Sequence, residues 1–343
     1  MTTIREIAKE LGVSLSTVSA VINKRQYVSV AMRDRVEKAL QDANYQPNQL
    51  ARGLRLQESR TVGLIVPDLA NPFYSRLMRG AEDYLTRFGY RLIVADSRED
   101  WKREQDYLVS FASKITDAII LTTCAATDQQ VAMIPAIVRE VPLVFVDRCP
   151  LRTKGICLSV DNVQAAYDAT QHLLDLGHRQ IAIVTGPLTL LNAAERFKGY
   201  KRALRAHGIP MDRRVVRAGN NTEDSGYRRG LELLQKLDRP TAILVCNNLM
   251  TIGVLAAIRK LGIACPRDVS LLGFDDFNWC SLLTPPLTMV RQPESDLGSA
   301  AAKMVLDRLH APDQDESDKV VLPTQLIVRE STAAPNRGNQ THK

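Results

Sequence analysis

Polar and aromatic side chains follow several short apolar segments of this chain, where they could bind a small polar ligand. Asn71 and Phe73 follow the first such segment, and the adjacent pair Asp147-Arg148 follows a later one. The other members of the set follow later segments or lie on the helical stretch behind Gly186-Pro187: Arg196, Asn247, Phe274, Asp275 and Gln292. Carboxylates, amides and guanidinium groups hydrogen-bond to adjacent hydroxyls, while aromatic faces cover apolar ring carbons. The set therefore suits a sugar or sugar derivative.

Each of these residues also has a structural interpretation. Asp147-Arg148 could form an ion pair that fixes a hinge, and Arg196 could cap the end of a strand. Phe73 and Phe274 could be core residues, which is the usual fate of a single aromatic side chain. Polar groups after five different strands favour a binding site over five unrelated structural roles.

The apolar segments alternate with helical stretches from Thr61 onward. The predicted strands are 62–66, 91–95, 119–122, 143–146, 181–185, 242–246 and 270–274. This alternation predicts an α/β fold with doubly wound parallel sheets. The strand–helix–strand unit of residues 62–95 recurs from residue 181 to about 208, which predicts two similar subdomains. Ligands bind beyond the carboxyl ends of such strands, so these ends should line a shared cleft.

The N-terminal segment has the pattern of a helix-turn-helix. Thr3 and Glu6 have capping-box spacing, Gly12 marks a turn, and Ser14 can cap a second helix. The apolar face of that helix is Val18, Val21 and Ile22, and the opposite face is Ser16, Thr17, Ser19 and Asn23. A third helix over residues 29–44 can close the domain through Val30, Val36, Ala39, Leu40 and Ala43. Such a second helix is suited to the DNA major groove.

The charge distribution agrees with this interpretation. Residues 1–60 contain 10 Lys/Arg and 6 Asp/Glu, so they carry more than half of the net charge of +7. Positive charge at this end favours phosphate binding. Two amphipathic helices of an ordinary core are the alternative, which the N-terminal position and the third helix disfavour.

Several other classes of protein lack support in the sequence. It contains no dinucleotide-binding glycine motif, Walker loop, Gly-x-Ser-x-Gly or His-Glu-x-x-His. We therefore expect no enzyme, no cofactor and no metal. The six cysteines have no short-spaced partners, so buried thiols are favoured over a zinc site or a disulfide scaffold. Without a signal segment or a membrane-length apolar run, the expectation is a soluble cytoplasmic protein with no membrane partner.

From Thr3 to about Ser331 the chain resembles the lactose/galactose repressor (LacI/GalR) family of bacterial transcription regulators. The most specific stretches are residues 4–23, 44–54, 63–74, 176–186 and 269–276. The resemblance implies a core of the periplasmic-binding-protein type I fold, with crossings between lobes near Asp161, Val290-Arg291 and Pro323. The implied boundaries are a helix-turn-helix domain at 1–46, a hinge helix and linker at 47–60, a core at 61–331 and a flexible tail at 332–343. The lobes would comprise about 61–160 plus 292–322, and about 161–290 plus 323–331.

For DNA binding, the resemblance implies that Leu15, Ser16 and Ala20 face base edges, and that Leu54 is wedged into the minor groove at the operator centre. Thr17, Ser19 and Asn23 would hold phosphates. Two hinge helices meeting over one kink require a homodimer on a near-palindromic operator. We expect the dimer face on the helix after Phe73, with Leu77, Met78 and Ala81.

For the effector, the residues after the strands resemble the binding set of ribose-type periplasmic sugar-binding proteins. That resemblance makes Phe73 and Phe274 stacking residues and assigns hydroxyl binding to Asn71, Asp147, Arg148, Arg196, Asn247, Asp275 and Gln292. The expected function is a repressor of sugar or sugar-acid metabolism genes. A purine-type ligand or a protein partner is the alternative. Many sugar-responsive members carry Asn-Asp where this chain has Asn247-Asn248, which suggests an acidic ligand such as an aldonate.

Overall fold

The computed structural model describes residues 3–22, 27–43, 58–150, 155–310 and 319–336. Packing divides the chain into two compact units, Met1–Ser59 and Arg60–Lys343. The domain boundaries proposed from the sequence are finer than this division and stay predictions.

The first unit contains the helices α1 (Ile4–Leu11), α2 (Leu15–Ile22) and α3 (Val30–Asp42). Thr3 and Glu6 cap each other's backbone N–H groups in the predicted capping box, and Gly12 ends α1 with a φ of 63°. That left-handed conformation favours glycine, because a Cβ atom would clash with the backbone. The amide of Thr17 donates to Ser14 Oγ at 3.1 Å, so Ser14 caps α2. The sequence pattern for the helix-turn-helix is thereby confirmed.

The core of this unit is small and joins the three helices. Its fully buried apolar members are Ile7, Ala8, Val18, Val21 and Val36. Ala39, Leu40 and Ala43 pack against this core as predicted. Val30 does not, because it begins α3 and its side chain is 74% exposed. Ser29 precedes α3 but forms no side-chain capping bond.

The first lobe of the second unit is built on a six-stranded parallel sheet. Its strands are β1 (Thr61–Val66), β2 (Arg91–Asp96), β3 (Ala118–Leu121), β4 (Leu143–Val146), β5 (Ile156–Val160) and β11 (Lys319–Leu322). They lie in the order β11-β5-β4-β3-β1-β2. The helices that cover this sheet are α4 (Pro72–Arg87), α5 (Trp101–Ser110), α6 (Asp128–Val138) and α11 (Glu294–His310).

The second lobe repeats this plan. Its strands are β6 (Ile181–Thr185), β7 (Val216–Ala218), β8 (Ala242–Val245), β9 (Ser270–Phe274), β10 (Thr288–Arg291) and β12 (Gln325–Ile327). The order is β12-β10-β9-β8-β6-β7, and β12 runs antiparallel to β10. The edge strand β12 is thus an antiparallel addition to the predicted doubly wound parallel sheet, at the point where the chain returns from β11 through a short connection. The helices are α7 (Asn162–Asp175), α8 (Leu191–Ala206), α9 (Glu223–Leu234) and α10 (Asn248–Lys260).

Glycines bring helices of each lobe into close contact. A Cβ atom on Gly298 of α11 would overlap the carbonyl oxygen of Leu77 on α4, and one on Gly80 would overlap that of Ser295. Gly199 of α8 similarly faces the carbonyl of Val163 on α7. The close spacing of these helix pairs therefore requires glycine, which has no side chain, at the contact points.

The close packing of α4 against α11 corrects the expected dimer face. Leu77 and Ala81 are fully buried within the first lobe. Their apolar spacing marks the intramolecular face of α4, so they cannot contact a second copy.

The C-terminal segment is also more ordered than expected. The predicted flexible tail begins at residue 332, yet the amide of Ala333 donates to Ser270 Oγ at 3.1 Å. The hydroxyl of Thr332 lies 3.0 Å from Nε2 of His172. Residues 332 and 333 are thus fixed to the second lobe, and residues 337–343 lie outside the described part.

One expectation about the cysteines is wrong. Cys149 and Cys157 form a disulfide with a Cα–Cα distance of 5.7 Å. Cys124, Cys246 and Cys280 are buried thiols, as expected, and Cys265 is partly exposed. A search for short-spaced cysteine motifs does not find this pair, because strand pairing, rather than a short motif, brings the two residues together.

Candidate functional site

A cavity lies at the carboxyl ends of strands from both lobes and has a volume of about 380 Å³, part of it open to solvent. We call it the cleft. Its lining includes eight of the nine predicted effector residues. The full lining is Asn71, Phe73, Tyr74, Asp147, Arg148, Gly186, Asn192, Ala193, Arg196, Asn221, Cys246, Asn247, Asp275 and Gln292. The two sheets thus bring together residues that are up to 221 positions apart in the sequence.

Asp147 and Arg148 reach the cleft through a turn directly after β4. Asp147 has a φ of 64°, and its amide donates to the carbonyl of Leu158 at 2.8 Å. The guanidinium of Arg148 forms two 2.7 Å hydrogen bonds to the carboxylate of Glu99. Arg148 is therefore held by a bidentate ion pair with Glu99 rather than with its neighbour Asp147.

Burial and charge act in opposite directions on Asp147. Its side chain is almost fully buried, which raises the pKa of its carboxyl, while the positive charge of Arg148 lowers it. The hydroxyl of Tyr74 donates to Asp147 Oδ2 at 3.3 Å. Asp147 is consequently an acceptor whose position is fixed from two sides.

Arg196 has a structural role as well as a place in the cleft. Its Nε donates to Asn162 Oδ1 at 2.8 Å and its Nη1 to the carbonyl of Cys246 at 2.6 Å. The second bond caps the end of β8, as the structural interpretation proposed. The guanidinium carbon lies 4.4 Å from the ring centroid of Phe274. Phe274 is fully buried and does not line the cleft, contrary to its expected stacking role, because Arg196 covers its ring.

Asp275 and Gln292 form the wall contributed by β9 and β10. Gln292 Nε2 donates to Asp275 Oδ1 at 2.5 Å. Burial raises the pKa of Asp275, and Arg196 opposes that shift. Within the described residues, Gln292 Oε1 and Arg148 Nε are buried without a hydrogen-bond partner. Both residues line the cleft, and one carries an unused acceptor and the other an unused donor.

Contacts across the cleft join the two lobes. The side-chain amides of Asn71 and Asn248 exchange two hydrogen bonds, of 2.8 and 3.2 Å. Arg76 of the first lobe donates to Asn278 Oδ1 at 3.3 Å and lies 4.6 Å from the ring centroid of Phe277. The described conformation is therefore a closed one, in which the lobes contact each other directly.

Six lining residues were absent from the predicted set, and three of them, Tyr74, Asn192 and Asn221, carry a hydroxyl or an amide group. Tyr74 directly follows the predicted Phe73 in the first turn of α4. Asn192 lies in the first turn of α8, and its Nδ2 is 3.4 Å from Asp147 Oδ1. Asn221 lies in the loop after β7 with a φ of 65°. Its position after a strand is the same signal that identified Asn247, but β7 is only three residues long.

The charges of the cleft nearly cancel. Asp147 and Asp275 face Arg148 and Arg196, and Glu99 adds a further negative charge beside Arg148. The inference of an acidic ligand assumed that the two arginines lack carboxylate partners. Glu99, which lies three residues after the end of β2 and is not in the predicted set, supplies one. This arrangement favours an uncharged ligand.

The second helix of the first unit exposes part of the predicted DNA-binding face. Leu15 is 43% exposed, Ser16 is exposed, and Thr17 and Ser19 are half-buried. Ala20 is only 3% exposed. A methyl group extends little beyond the helix backbone and is easily covered, so its burial argues against the predicted contact of Ala20 with bases. Asn23 and Leu54 lie outside the described residues.

Comparisons with known proteins support this reading of both units. Residues 3–48 match the family model described as bacterial regulatory proteins, lacI family, and residues 170–332 match a periplasmic binding protein-like domain. The chain is 35% identical to catabolite control protein A of Priestia megaterium, over 96% of this chain and 99% of that protein. This chain belongs to the lacI family of bacterial regulatory proteins. The regulator is also 34% identical to the ribose operon repressor of Escherichia coli K12, over 91% and 94% of the two chains.

A solved structure of the same family matches the fold of the regulator over almost its whole length. It is the lac repressor dimer bound to operator and the anti-inducer ONPF, with a TM-score of 0.88 and 27% identity over 97% of this chain and 99% of that one. The regulator is accordingly a DNA-binding transcriptional regulator with a helix-turn-helix and two α/β lobes. No helix in the described ranges is both long and apolar enough to cross a membrane.

The regulator contains a buried carboxyl at the crossing between the lobes, and its pKa predicts a pH effect. Glu294 begins α11, is 5% exposed, and lies 3.9 Å from Arg76 Nη1. Burial raises its pKa to about 7, and the negative charge of Asp275 adds to the shift, while Arg76 and Arg291 oppose it.

Because the folded-state pKa of Glu294 exceeds the ordinary value of 4.5, the folded protein binds a proton more tightly than the unfolded chain. Stability from this group is present below pH 4.5 and is lost as the pH rises to about 7. We expect Glu294→Gln to raise the free energy of unfolding, relative to the original protein, by roughly 2 kcal/mol more at pH 8 than at pH 5.5. Chemical denaturation of both proteins at the two pH values measures this difference. Glu330→Gln, at an exposed carboxylate, is the control, and equal differences for the two variants would contradict the expectation.

Proposed function

We propose that this regulator is a repressor of sugar-metabolism genes whose effector is a small neutral sugar bound in the cleft. The observation that carries the proposal is the pairing of a charge-balanced cleft with two unused polar atoms, Arg148 Nε and Gln292 Oε1. An unsatisfied buried donor or acceptor costs about 1–3 kcal/mol. A hydroxyl can act as both donor and acceptor, so a polyol satisfies both atoms at once.

The residue types around these atoms support the same class of ligand. Asp147, Asp275 and Asn247 offer oxygens that accept from adjacent hydroxyls, and Arg196 offers donors. Phe73 adds an aromatic ring to the lining and is 3% exposed. An anion would instead have to enter beside Asp147 and Asp275, which repel it. The name of the E. coli relative, ribose operon repressor, agrees with a neutral pentose.

For the DNA half of the function, we propose a homodimer that binds a near-palindromic operator through α2. Leu15 and Ser16 are the exposed residues at the start of this helix and would contact base edges. Thr17 and Ser19 would hold phosphates, as would Asn23 outside the described part. A leucine side chain reads thymine methyl groups rather than guanine, so direct readout by each half-site is modest. Spacing and DNA deformation then supply the remaining specificity.

A thermal-shift screen tests the effector. We expect D-ribose or another neutral sugar to raise the melting temperature, and aldonates, sugar phosphates and purines to have little effect. A ligand at 100 times its Kd adds about 2.7 kcal/mol of stability, which such a screen detects. Binding of an aldonate in preference to its parent sugar would contradict the neutral-ligand proposal. If no small molecule raises the melting temperature, a protein partner is favoured instead.

The expected insertion of Leu54 into the minor groove, as an apolar wedge, is testable even though this residue lies outside the described ranges. An apolar wedge partly unstacks one base step and permits additional contacts to the bent DNA. We expect Leu54→Ala to weaken binding to a palindromic site, selected from a random library, by about tenfold. Fluorescence anisotropy measures this affinity, with Leu56→Ala as a matched control that should have a smaller effect. A loss below about threefold for Leu54→Ala would exclude the wedge.

A further inference from the structure

The disulfide of the regulator lies directly beside the effector residues. Cys149 follows Arg148 in sequence and is 4% exposed, while Cys157 lies on β5 and is partly exposed. Cys157 is paired with Phe145 of β4 in the sheet register. The bond therefore connects the segment that leaves β4 with the neighbouring strand.

The backbone of this segment forms two hydrogen bonds directly after β4 ends at Val146. The amide of Asp147 donates to Leu158 at 2.8 Å, and the amide of Arg148 donates to Val146 at 2.7 Å. Asp147 also has a left-handed φ of 64°, which is unfavourable for a residue with a side chain. A covalent link one residue past Arg148 holds the turn in this conformation from its far end.

We propose that Cys149 and Cys157 are a redox-modification site, oxidised by a low-molecular-weight disulfide, and that oxidation fixes the Asp147-Arg148 turn in its ligand-binding conformation. The link to ligand binding rests on the proposed function, whereas the oxidation itself does not. In the reduced protein the turn keeps its backbone hydrogen bonds and the side-chain bonds of Asp147 and Arg148, but it lacks the covalent link at Cys149.

The chemistry is thiol–disulfide exchange. The thiolate of the more exposed Cys157 attacks the reagent RSSR, which forms a mixed disulfide and releases one RS⁻. The thiolate of Cys149 then attacks the Cys157 sulfur, which forms the intramolecular bond and releases the second RS⁻. The two protons lost by the cysteines convert the leaving thiolates to two RSH. The cysteine pair is oxidised by two electrons, and RSSR is reduced by two.

The remaining cysteines are poor competitors for this reaction. Cys124, Cys246 and Cys280 are buried, and burial raises the pKa of each thiol, to about 12 for Cys246 and to about 11 for Cys280. The thiol of Cys265 also has a pKa raised by burial, to about 11. Because the thiolate is the reactive form, oxidation should be selective for the pair.

The test uses the full chain with oxidised glutathione as the reagent, followed by alkylation, digestion and mass spectrometry. We expect a peptide cross-linked between Cys149 and Cys157, absent from Cys149→Ser and from Cys157→Ser and retained in Cys265→Ser. Hydrogen exchange at the amides of Arg148 and Cys149 should be at least fivefold slower in the oxidised protein than in the reduced one. Cys149→Ser should show no such dependence on oxidation.

Absence of the cross-linked peptide at every glutathione ratio would overturn the redox site. A cross-link that leaves the exchange of both amides unchanged would overturn its effect on the turn. Neither readout requires a ligand. A failed sugar screen alongside a positive cross-link would therefore count against the proposed function alone.

Discussion

Arg148→Met should weaken binding of the effector by about 100-fold while the protein remains folded. The substitution removes the unused Nε donor of the cleft and the cation beside Asp147. Hydrogen bonds to charged groups contribute about 1.5–3 kcal/mol each, and about 1.4 kcal/mol corresponds to a tenfold change in Kd. The loss of one strong hydrogen bond to the effector and the weakening of the effector's bonds to Asp147 together account for the 100-fold increase in Kd. Glu99 is 37% exposed, so its carboxylate can be hydrated after Arg148 is removed.

Isothermal titration calorimetry with the sugar selected by the thermal-shift screen measures this loss. Arg214→Met is the matched control, because Arg214 also pairs with a carboxylate, that of Asp212 at 2.9 Å, but is 73% exposed and far from the cleft lining. Exposed ion pairs contribute little, so its Kd should stay within twofold of the original. A comparable loss for both variants would show that Arg148 has no special place in the site.

Gly298→Ala should lower the free energy of unfolding by about 3 kcal/mol, although alanine favours helices over glycine by about 1 kcal/mol. The added methyl group would overlap the carbonyl oxygen of Leu77 and lie 2.8 Å from the amide nitrogen of Ala81. Both atoms belong to the backbone of α4 and cannot rotate away. The two helices must therefore separate, which exposes the buried apolar side chains between them.

Thermal unfolding with and without the substitution measures the effect, and a fall in melting temperature of about 6 °C or more is expected. Gly208→Ala serves as the comparison, since Gly208 has a φ of 65° but open space around its Cβ position. It should cost only the strain of the left-handed conformation, about 1–2 kcal/mol. A Gly298→Ala protein as stable as the original would show that α4 and α11 can separate without loss.

The sequence predicts those features that depend on local pattern. Three strands, β4, β6 and β9, have the predicted bounds, because short apolar runs flanked by turn residues have few alternative structures. Eight of the predicted effector residues lie together in the cleft because the carboxyl ends of parallel strands meet at one edge. Ser14 and Gly12 were found because each serves a specific backbone requirement at a helix end.

What the sequence does not predict depends on distant partners. Phe274 is in the core because Arg196, 78 residues earlier, covers its ring. Arg148 is neutralised by Glu99, and the position of Glu99 in the loop after β2 does not show which cation it pairs with. Leu77 and Ala81 have the spacing of an apolar helix face, but spacing does not say whether the facing helix belongs to the same chain.

The strand order has a consequence for synthesis of the protein on the ribosome. The first lobe receives its edge strand β11 and its helix α11 from residues 294–322, and the second lobe receives β12 only after them. Until residues 294–322 emerge, α4 lacks the helix that packs against Gly80, and the outer edge of β5 is unpaired. Domains usually mature in the order in which they are made. Here neither sheet is complete until residues 319–327 have been made, so a nascent chain that stops before residue 319 would lack an edge strand in each sheet.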